Sequence, residues 1–177
     1  MFGTQYSVFV DGADTGGSYC DRELPAAAAP PQVTPAMVQR AFESYSWPAS
    51  ELQVQPPNGR TAVNFETFFY TEDDEPVTHA FTLLGRQVEV EATPASYTWV
   101  WGDGEQATTA GPGAPYPAGD VTHEYLRKGA VQVRLDTTYA GRYRVDGGPW
   151  TGLLGTLTVP GTPQGLQVVE VQPTLVS

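Results

Sequence analysis

The feature that most constrains the fold is an alternation of apolar and polar residues that recurs through most of the chain after residue 50. Val88 and Val90 alternate with polar neighbours, and Val131, Val133 and Leu135 do so later in the chain. A period of two places successive side chains on opposite faces of a β-strand. Turn signals rich in glycine and proline separate about eight or nine such segments, which is typical of a sandwich. The pattern predicts an all-β protein with a β-sandwich.

Two segments predict local detail of this sheet. Val77–Thr82 and Gln87–Glu91 flank a turn that contains Gly85, which indicates a β-hairpin. The stretch 63–70 predicts one strand with aromatic residues on both faces. The face that contains Phe65 is expected to point to the core. We expect one central core, formed by Trp99 or Trp101 together with Val88, Val90, Val131, Val133 and Leu135.

The chain is predicted to have three parts: an extended N-terminal arm or linker over residues 1–33, a short helix over 34–50, and the β-sandwich over 51–177. In the arm, Ser7–Val10 predicts a short strand that has no obvious partner in the sandwich. Thr34 is a suitable N-cap and a proline follows it at the first helical position. An apolar stripe supports the helix and consists of Met37, Val38, Ala41, Phe42 and Tyr45.

The charge balance limits the partners of this protein. Twenty acidic and nine basic residues give a formal net charge of −11, which argues against nucleic acid and anionic membranes as partners. Cationic partners, divalent ions and neutral polymers remain open.

No apolar stretch is long enough for a transmembrane segment, and the N-terminus lacks the features of a signal peptide. The single cysteine, Cys20, is an incidental thiol, half of an intermolecular disulfide or the remnant of a processed pair.

A three-part motif gives the sequence its most specific feature. A strand with Trp99 and Trp101 ends in Gly102-Asp103-Gly104, and His123-Glu124-Tyr125 and Gly129 follow before the next alternating segment. This arrangement resembles the polycystic kidney disease (PKD) domain over about residues 63–171, with an enlarged Gly/Pro/Ala loop at 110–119. The whole chain is similar to predicted exported PKD-domain proteins of high-GC Gram-positive bacteria. The resemblance implies a PKD-type immunoglobulin-like sandwich that is secreted or at the cell surface, usually without catalysis.

The motif also has a physical rationale. The glycines permit a sharp turn with positive φ, and the short Asp103 side chain can accept hydrogen bonds from the turn. Tyr125 follows a long loop, from which its hydroxyl can reach back to a backbone group. We therefore predict a structural motif that comprises Trp99, Trp101, Gly102, Asp103, Gly104, His123 and Tyr125.

Catalytic and metal-binding patterns are scarce in this sequence. Its two histidines, His79 and His123, belong to no recognisable triad or zinc motif, so we expect no enzyme and no catalytic residue. No cofactor is expected, apart from a candidate calcium site in an acidic run without EF-hand spacing. The alternative for this run is a solvated loop that protects a sheet edge. The run consists of Glu72, Asp73, Asp74 and Glu75.

Surplus aromatic residues indicate an interaction surface. Small cores need few large rings, and exposed apolar patches mark interfaces or carbohydrate platforms. We expect an extracellular, non-catalytic structural, adhesion or assembly module that acts through contacts with a protein partner or with itself. The alternative is a carbohydrate-binding accessory module of a secreted or cell-surface system. The candidate interaction residues are Phe68, Tyr70, Tyr116, Tyr139 and Trp150.

Overall fold

The structure, a computed structural model, describes residues 5–10, 13–20 and 31–171, with the backbone alone for the first two stretches. The chain divides into two compact units, Met1–Gln32 and Val33–Ser177. Strands dominate the described residues and are accompanied by one short helix, which confirms the predicted all-β class. No helix in the described stretches combines the length and apolar character of a transmembrane segment.

The first unit contains an antiparallel β-hairpin. Strand β1 (Gln5–Val10) pairs with β2 (Ala13–Cys20), from Val10 opposite Ala13 to Gln5 opposite Cys20. The predicted strand Ser7–Val10 lies within β1. Its partner β2 belongs to the same first unit and not to the predicted sandwich. Residues 21–30 of the predicted arm lie outside the described residues.

The second unit begins with helix α1 (Pro35–Ser44), and its ends follow the sequence signals. The Thr34 hydroxyl accepts a hydrogen bond from the Met37 N–H at 3.4 Å, and the proline occupies the first turn. The helix ends where the Tyr45 N–H donates to the Ala41 carbonyl at 3.1 Å. Only Val38 and Phe42 of the predicted apolar stripe are fully buried. These two residues therefore attach the helix to the sheet.

Ten strands follow the helix and form two sheets. They are β3 (Gln53–Gln55), β4 (Arg60–Ala62), β5 (Glu66–Tyr70), β6 (Val77–Leu83), β7 (Arg86–Val100), β8 (Gln106–Thr109), β9 (Thr122–Glu124), β10 (Gly129–Val145), β11 (Thr151–Pro160) and β12 (Gln164–Val169). The predicted hairpin is confirmed: β6 and β7 are joined by Leu84 and Gly85, both of which have positive φ.

The seven-stranded sheet is organised around two long antiparallel strands. β7 and β10 pair from Val88 opposite Val145 to Arg134 opposite Val100. Towards one end, β8 pairs with β7, and β12 followed by β4 extends the sheet beyond β10. Towards the other end, β6 pairs with β7 and β11 pairs with β10. The second sheet has three strands in the order β3-β5-β9.

Strand β7 replaces two shorter strands that the sequence predicts, Gln87–Glu91 and the strand with Trp99 and Trp101. At about 3.3 Å per residue, the 15 residues of β7 span about 50 Å. This length exceeds what one small core needs, so the inner face of the large sheet meets two different partners along its length. The expectation of one central core is therefore wrong, because Val88 and Val90 lie apart from the tryptophans.

The first core lies between the three-stranded sheet and one end of the seven-stranded sheet. Both Trp99 and Trp101 are buried in it, and Val131 packs against it from the side. Tyr125 and Phe69, from the opposite layer, are each only 1% exposed. Its buried members are Leu52, Phe69, Tyr97, Trp99, Trp101, Val121, Tyr125, Val133, Leu135, Leu166 and Val168.

The second core lies under helix α1 at the other end of the large sheet. Phe42 approaches the backbone of β10 at Gly141, where a Cβ atom would lie 3.2 Å from the phenylalanine ring. The Trp47 indole N–H donates to the Phe42 carbonyl at 2.8 Å and thereby covers the helix end. The other buried members of this core are Val38, Val88, Val90, Ala92, Tyr139 and Tyr143.

The predicted strand over 63–70 is shorter than expected. Asn64 has a φ of 57°, and the Phe65 N–H donates to the Ala62 carbonyl at 3.2 Å, so a turn precedes β5. The turn breaks the alternation and directs Phe65 outward, where it is 51% exposed. The expectation that Phe65 belongs to the core is therefore wrong.

Candidate interaction site

The Gly-Asp-Gly segment forms a tight turn against β10. Gly102 has a φ of 81°, and a Cβ atom there would lie 2.4 Å from the Gln132 carbonyl oxygen. The Asp103 carboxylate accepts the Glu105 N–H at 3.1 Å, which stabilises the turn. Only glycine suits position 102, because it provides both the conformation and the space.

Asp103, His123 and Tyr125 converge on Trp101 although they lie far apart in sequence. The His123 ring stacks on the Trp101 indole with centroids 4.1 Å apart and planes 5° apart. Its Nε2 lies 2.7 Å from an Asp103 carboxylate oxygen. The Tyr125 hydroxyl donates to the Trp101 carbonyl at 3.1 Å, which is the contact with the backbone that the sequence predicts. These contacts join the turn to β9 and to Tyr125, the residue that directly follows it.

The environment of this cluster shifts two pKa values. Burial raises the pKa of the Asp103 carboxyl, but hydrogen bonds from His123 and the Glu105 N–H outweigh burial and hold that pKa below its ordinary value. Burial, together with the nearby Asp103 charge, raises the pKa of the Tyr125 hydroxyl well above its ordinary value. The carboxylate therefore stays ionised and the phenol stays neutral at physiological pH.

The Asp103–His123 pair has the chemistry of a general base and its orienting acid. A triad also needs a nucleophile within hydrogen-bonding reach of the histidine. Among the described residues, no hydroxyl or thiol forms a hydrogen bond with His123, whose recorded polar contact is with Asp103. The hydrogen bonds and ring contacts of this cluster hold the turn in place.

The acidic run at 72–75 has structural contacts at Asp73. Its carboxylate accepts the Glu51 N–H at 2.6 Å, and its carbonyl accepts the Tyr97 hydroxyl at 3.3 Å. Burial, reinforced by the nearby Asp74 charge, raises the pKa of Tyr97 to about 12. Over residues 31–171, no three His, Cys, Asp or Glu side chains are grouped to hold a metal ion. Calcium binding at Glu72, Asp73, Asp74 and Glu75 stays a prediction.

The five candidate interaction aromatics do not share one surface. Tyr139 is 2% exposed in the second core, where its hydroxyl donates to the Pro48 carbonyl, so its assignment to a surface is wrong. The guanidinium carbons of Arg142 and Arg144 lie over the Trp150 ring, 4.7 and 4.8 Å from its centroid. Tyr70 is half-buried in β5. The remaining two, Phe68 and Tyr116, form an edge-to-face pair with centroids 5.5 Å apart.

Phe68 and Tyr116 line an open apolar groove of about 440 Å³. Tyr116 is 70% exposed, and Phe65 forms another wall of the groove. Gln55 and Glu66 are the polar residues of its lining. We call this feature the aromatic groove; its lining residues are Gln55, Pro56, Phe65, Glu66, Phe68 and Tyr116.

The enlarged loop at 110–119 builds one side of the aromatic groove. The Thr71 N–H donates to the Pro112 carbonyl at 2.9 Å, and the Tyr116 N–H donates to the Gln55 side-chain oxygen at 2.8 Å. At Gly119, a Cβ atom would lie 2.8 Å from the Phe68 ring and 2.2 Å from a carbonyl oxygen of the same loop. The glycine therefore lets the loop fold closely against Phe68.

A second apolar depression continues the surface beyond Phe65. It has a volume of about 520 Å³, and Phe65 and Pro56 line both depressions. Val63, Val169 and the 71%-exposed Val171 provide further apolar surface. Sequence analysis missed Phe65 and Pro56 as surface residues. Asn64, a residue type that tolerates positive φ, is the signal that could have indicated the turn before Phe65.

No protein-family model matches this sequence, and no curated protein or solved structure is significantly similar to it. The resemblance to PKD domains therefore depends on the motif residues alone.

Proposed function

We propose that this protein is an extracellular, non-catalytic structural, adhesion or assembly module that acts through protein–protein contacts, with the aromatic groove as its contact surface. The observation that carries this proposal is the pair of contiguous apolar depressions on either side of the exposed Phe65. Monomeric proteins seldom expose large contiguous apolar patches unless these serve an interface. Aromatic residues in such patches often provide most of the binding energy.

The groove favours an apolar side chain of a protein partner over a sugar ring. A carbohydrate platform needs roughly coplanar rings, whereas the planes of Phe68 and Tyr116 are 76° apart. Glu66 in the lining of the groove and the net charge of −11 favour a partner with basic residues around its apolar anchor. Covering the exposed half of Phe65 would contribute roughly 1 to 1.5 kcal/mol to binding.

The PKD resemblance supports the finer fold and the location. The motif residues Trp101, Asp103, His123 and Tyr125 meet in one cluster beside a core between two sheets, as expected for a PKD-type immunoglobulin-like sandwich. Secretion or display at the cell surface follows from the resemblance alone. The absence of a catalytic role is supported by the histidine that is stacked on Trp101 and held by Asp103.

The proposal can be tested with a photoreactive phenylalanine derivative at position 116 of the full chain, in the organism that produces it. We expect irradiation to give a defined protein adduct, whereas the same derivative at Leu126, an exposed position outside the groove, should not. The partner is then purified for affinity measurements. We expect Phe65→Ala to weaken binding about five- to tenfold, and Leu126→Ala to change it less than about twofold.

Three outcomes would contradict the proposal. Adducts with glycans alone would support the carbohydrate-binding alternative. Equal cross-linking from positions 116 and 126 would show that the groove is not a specific contact. Unchanged affinity after Phe65→Ala would show that the apolar surface does not carry the binding energy.

A further inference from the structure

Strand β6 is an edge strand with an unusual lack of protection. Within the described residues it pairs with β7 alone, so its other side has no partner. Exposed edges can pair with other chains, and natural proteins limit this with short strands, bulges, prolines, glycines or charged residues. The seven residues of β6 include no charged residue, proline or glycine, and its register with β7 is unbroken.

The other edges of the second unit are protected in recognisable ways. The edge strands β3, β4, β8 and β9 have only three or four residues each. The ten-residue β11 contains Gly152 and Gly155, shifts register against β10 between Ala140 and Arg142, and ends at Pro160. Among the described strands of this unit, β6 alone provides a long and regular free edge.

The β6–β7 turn determines which backbone groups face outward. Leu83 lies opposite Arg86 across a two-residue turn, so this pair exchanges hydrogen bonds, as does every second pair after it. The N–H and C=O groups of Thr78, Ala80 and Thr82 therefore point away from β7. None of these groups hydrogen-bonds to another described residue outside the strand ladder. Their side chains are exposed on the outer face of the sheet.

We propose that β6 pairs with β6 of a second copy of this chain in an antiparallel arrangement centred on Ala80. In this register Ala80 faces Ala80 of the partner subunit, and Thr78 faces Thr82 of the partner subunit. The outward-facing groups then form three closely bonded pairs with about six hydrogen bonds. The large sheets of the two copies become one continuous sheet.

The sequence of β6 is suited to pairing with itself. On the inner face, the register places Val77 opposite Leu83 of the partner subunit and His79 opposite Phe81 of the partner subunit. Aromatic and aliphatic cross-strand pairs of this kind stabilise sheets. In the single chain these inner side chains are only half-buried. Tyr45, at the end of α1, already stacks on His79 with centroids 3.9 Å apart, so a second strand would extend an existing aromatic layer.

Charges at the two ends of β6 also favour the antiparallel arrangement. The exposed acids Asp74 and Glu75 precede the strand, whereas Arg86, which follows it, is paired with Asp146 at 2.7 Å. Antiparallel pairing keeps the acidic ends of the two copies apart and next to this ion pair, whereas parallel pairing would bring the two acidic ends together. The net charge of −11 opposes association at long range, but 0.15 M salt screens it beyond about 8 Å.

The test uses analytical ultracentrifugation of the full chain at physiological salt. We expect the wild-type protein to dimerise, and Ala80→Lys to weaken dimerisation at least about tenfold, because it places two like charges directly opposite each other. Ala140→Lys is the matched control: it introduces the same change at an exposed alanine on the same sheet face, within a central strand. We expect the control to dimerise normally.

A mixture of variants tests the register itself. Ala80→Lys and Ala80→Glu should each be monomeric, and an equimolar mixture should form a heterodimer, because only position 80 faces itself. If the wild-type protein stays monomeric up to about 1 mM, the proposal is overturned. A dissociation constant of about 1 mM corresponds to a binding free energy of only about 4 kcal/mol. A dimer that tolerates Ala80→Lys, or a mixture that stays monomeric, would overturn it too. Phe65→Ala lies outside β6 and should leave the dimer intact, which separates this test from that of the aromatic groove.

Discussion

Replacing each glycine of the Gly-Asp-Gly turn by alanine provides a matched pair of variants. Both Gly102 and Gly104 have positive φ, at 81° and 103°, so alanine is strained at either position. They differ in the space around them. A Cβ atom at Gly102 would lie 2.4 Å from the Gln132 carbonyl oxygen, whereas nothing lies within 4 Å of a Cβ atom at Gly104. The pair therefore separates the cost of backbone strain from the cost of a steric clash.

The magnitudes follow from these two terms. An unfavourable φ destabilises the folded state by roughly 1 to 3 kcal/mol. Alanine also lowers the entropy of the unfolded chain, which offsets roughly 0.4 to 1 kcal/mol of this loss. Gly104→Ala should therefore lower the free energy of unfolding by about 1 to 2 kcal/mol. Gly102→Ala carries the same strain plus overpacking against a central strand, which adds roughly 1 to 3 kcal/mol. We expect it to be the more damaging variant by about 2 kcal/mol.

Urea unfolding followed by tryptophan fluorescence measures both variants against the wild type. For a unit of this size, each 1 kcal/mol shifts the midpoint of thermal unfolding by roughly 2 to 4 °C, which provides a second measurement. Equal destabilisation of the two variants would refute the reasoning, because the close approach of β10 to Gly102 would then have no energetic consequence. If Gly102→Ala fails to fold while Gly104→Ala folds, the predicted order stands.

Two further predictions concern the turn cluster and the helix. Because the pKa of Asp103 is lower in the folded protein than in the unfolded chain, its contribution to stability is present above the ordinary carboxyl pKa and is lost as the pH falls below about 4. Asp103→Asn should therefore reduce the loss of stability between pH 5 and pH 3, measured by urea titration. The control is Glu105→Gln, which should leave this loss unchanged, because the Glu105 carboxylate accepts no hydrogen bond from a described residue. Phe42→Ala should lower the free energy of unfolding by about 3 to 5 kcal/mol, because a fully buried ring is removed from the second core. A calorimetric midpoint close to that of the wild type would contradict the attachment of the helix through Phe42.

Local signals in the sequence predict local structure well in this protein. The N-cap at Thr34, the turn at Gly85 and the backbone contact of Tyr125 each depend on residues whose chemistry acts over short distances or within a specific motif. The sequence does not reveal that β7 runs unbroken through Pro94, because a proline and a shift of register interrupt the alternation there. For the same reason, the sequence does not indicate the second core. That core forms only because β7 continues past the first core.

The candidate site was harder to predict than the fold. Phe68 and Tyr116 were identified as surplus aromatics, but their proximity depends on a loop whose close packing at Gly119 leaves no local pattern. Tyr139 resembles them in sequence, yet it is covered by the segment after the helix. The sequence pattern places Phe65 in the core, because it predicts a strand that begins before Asn64. Long-range packing thus decides which aromatic residues remain exposed.

The continuity of β7 and β10 has a mechanical consequence. Two antiparallel strands that run side by side along the body form a single stiff ribbon, and many backbone hydrogen bonds between them would resist a force along the strand direction together. A load applied to the surface beside β5 would pass through this ribbon to the opposite end, beneath the helix, without crossing a hinge. Under the proposed function, this ribbon makes the second unit a rigid spacer.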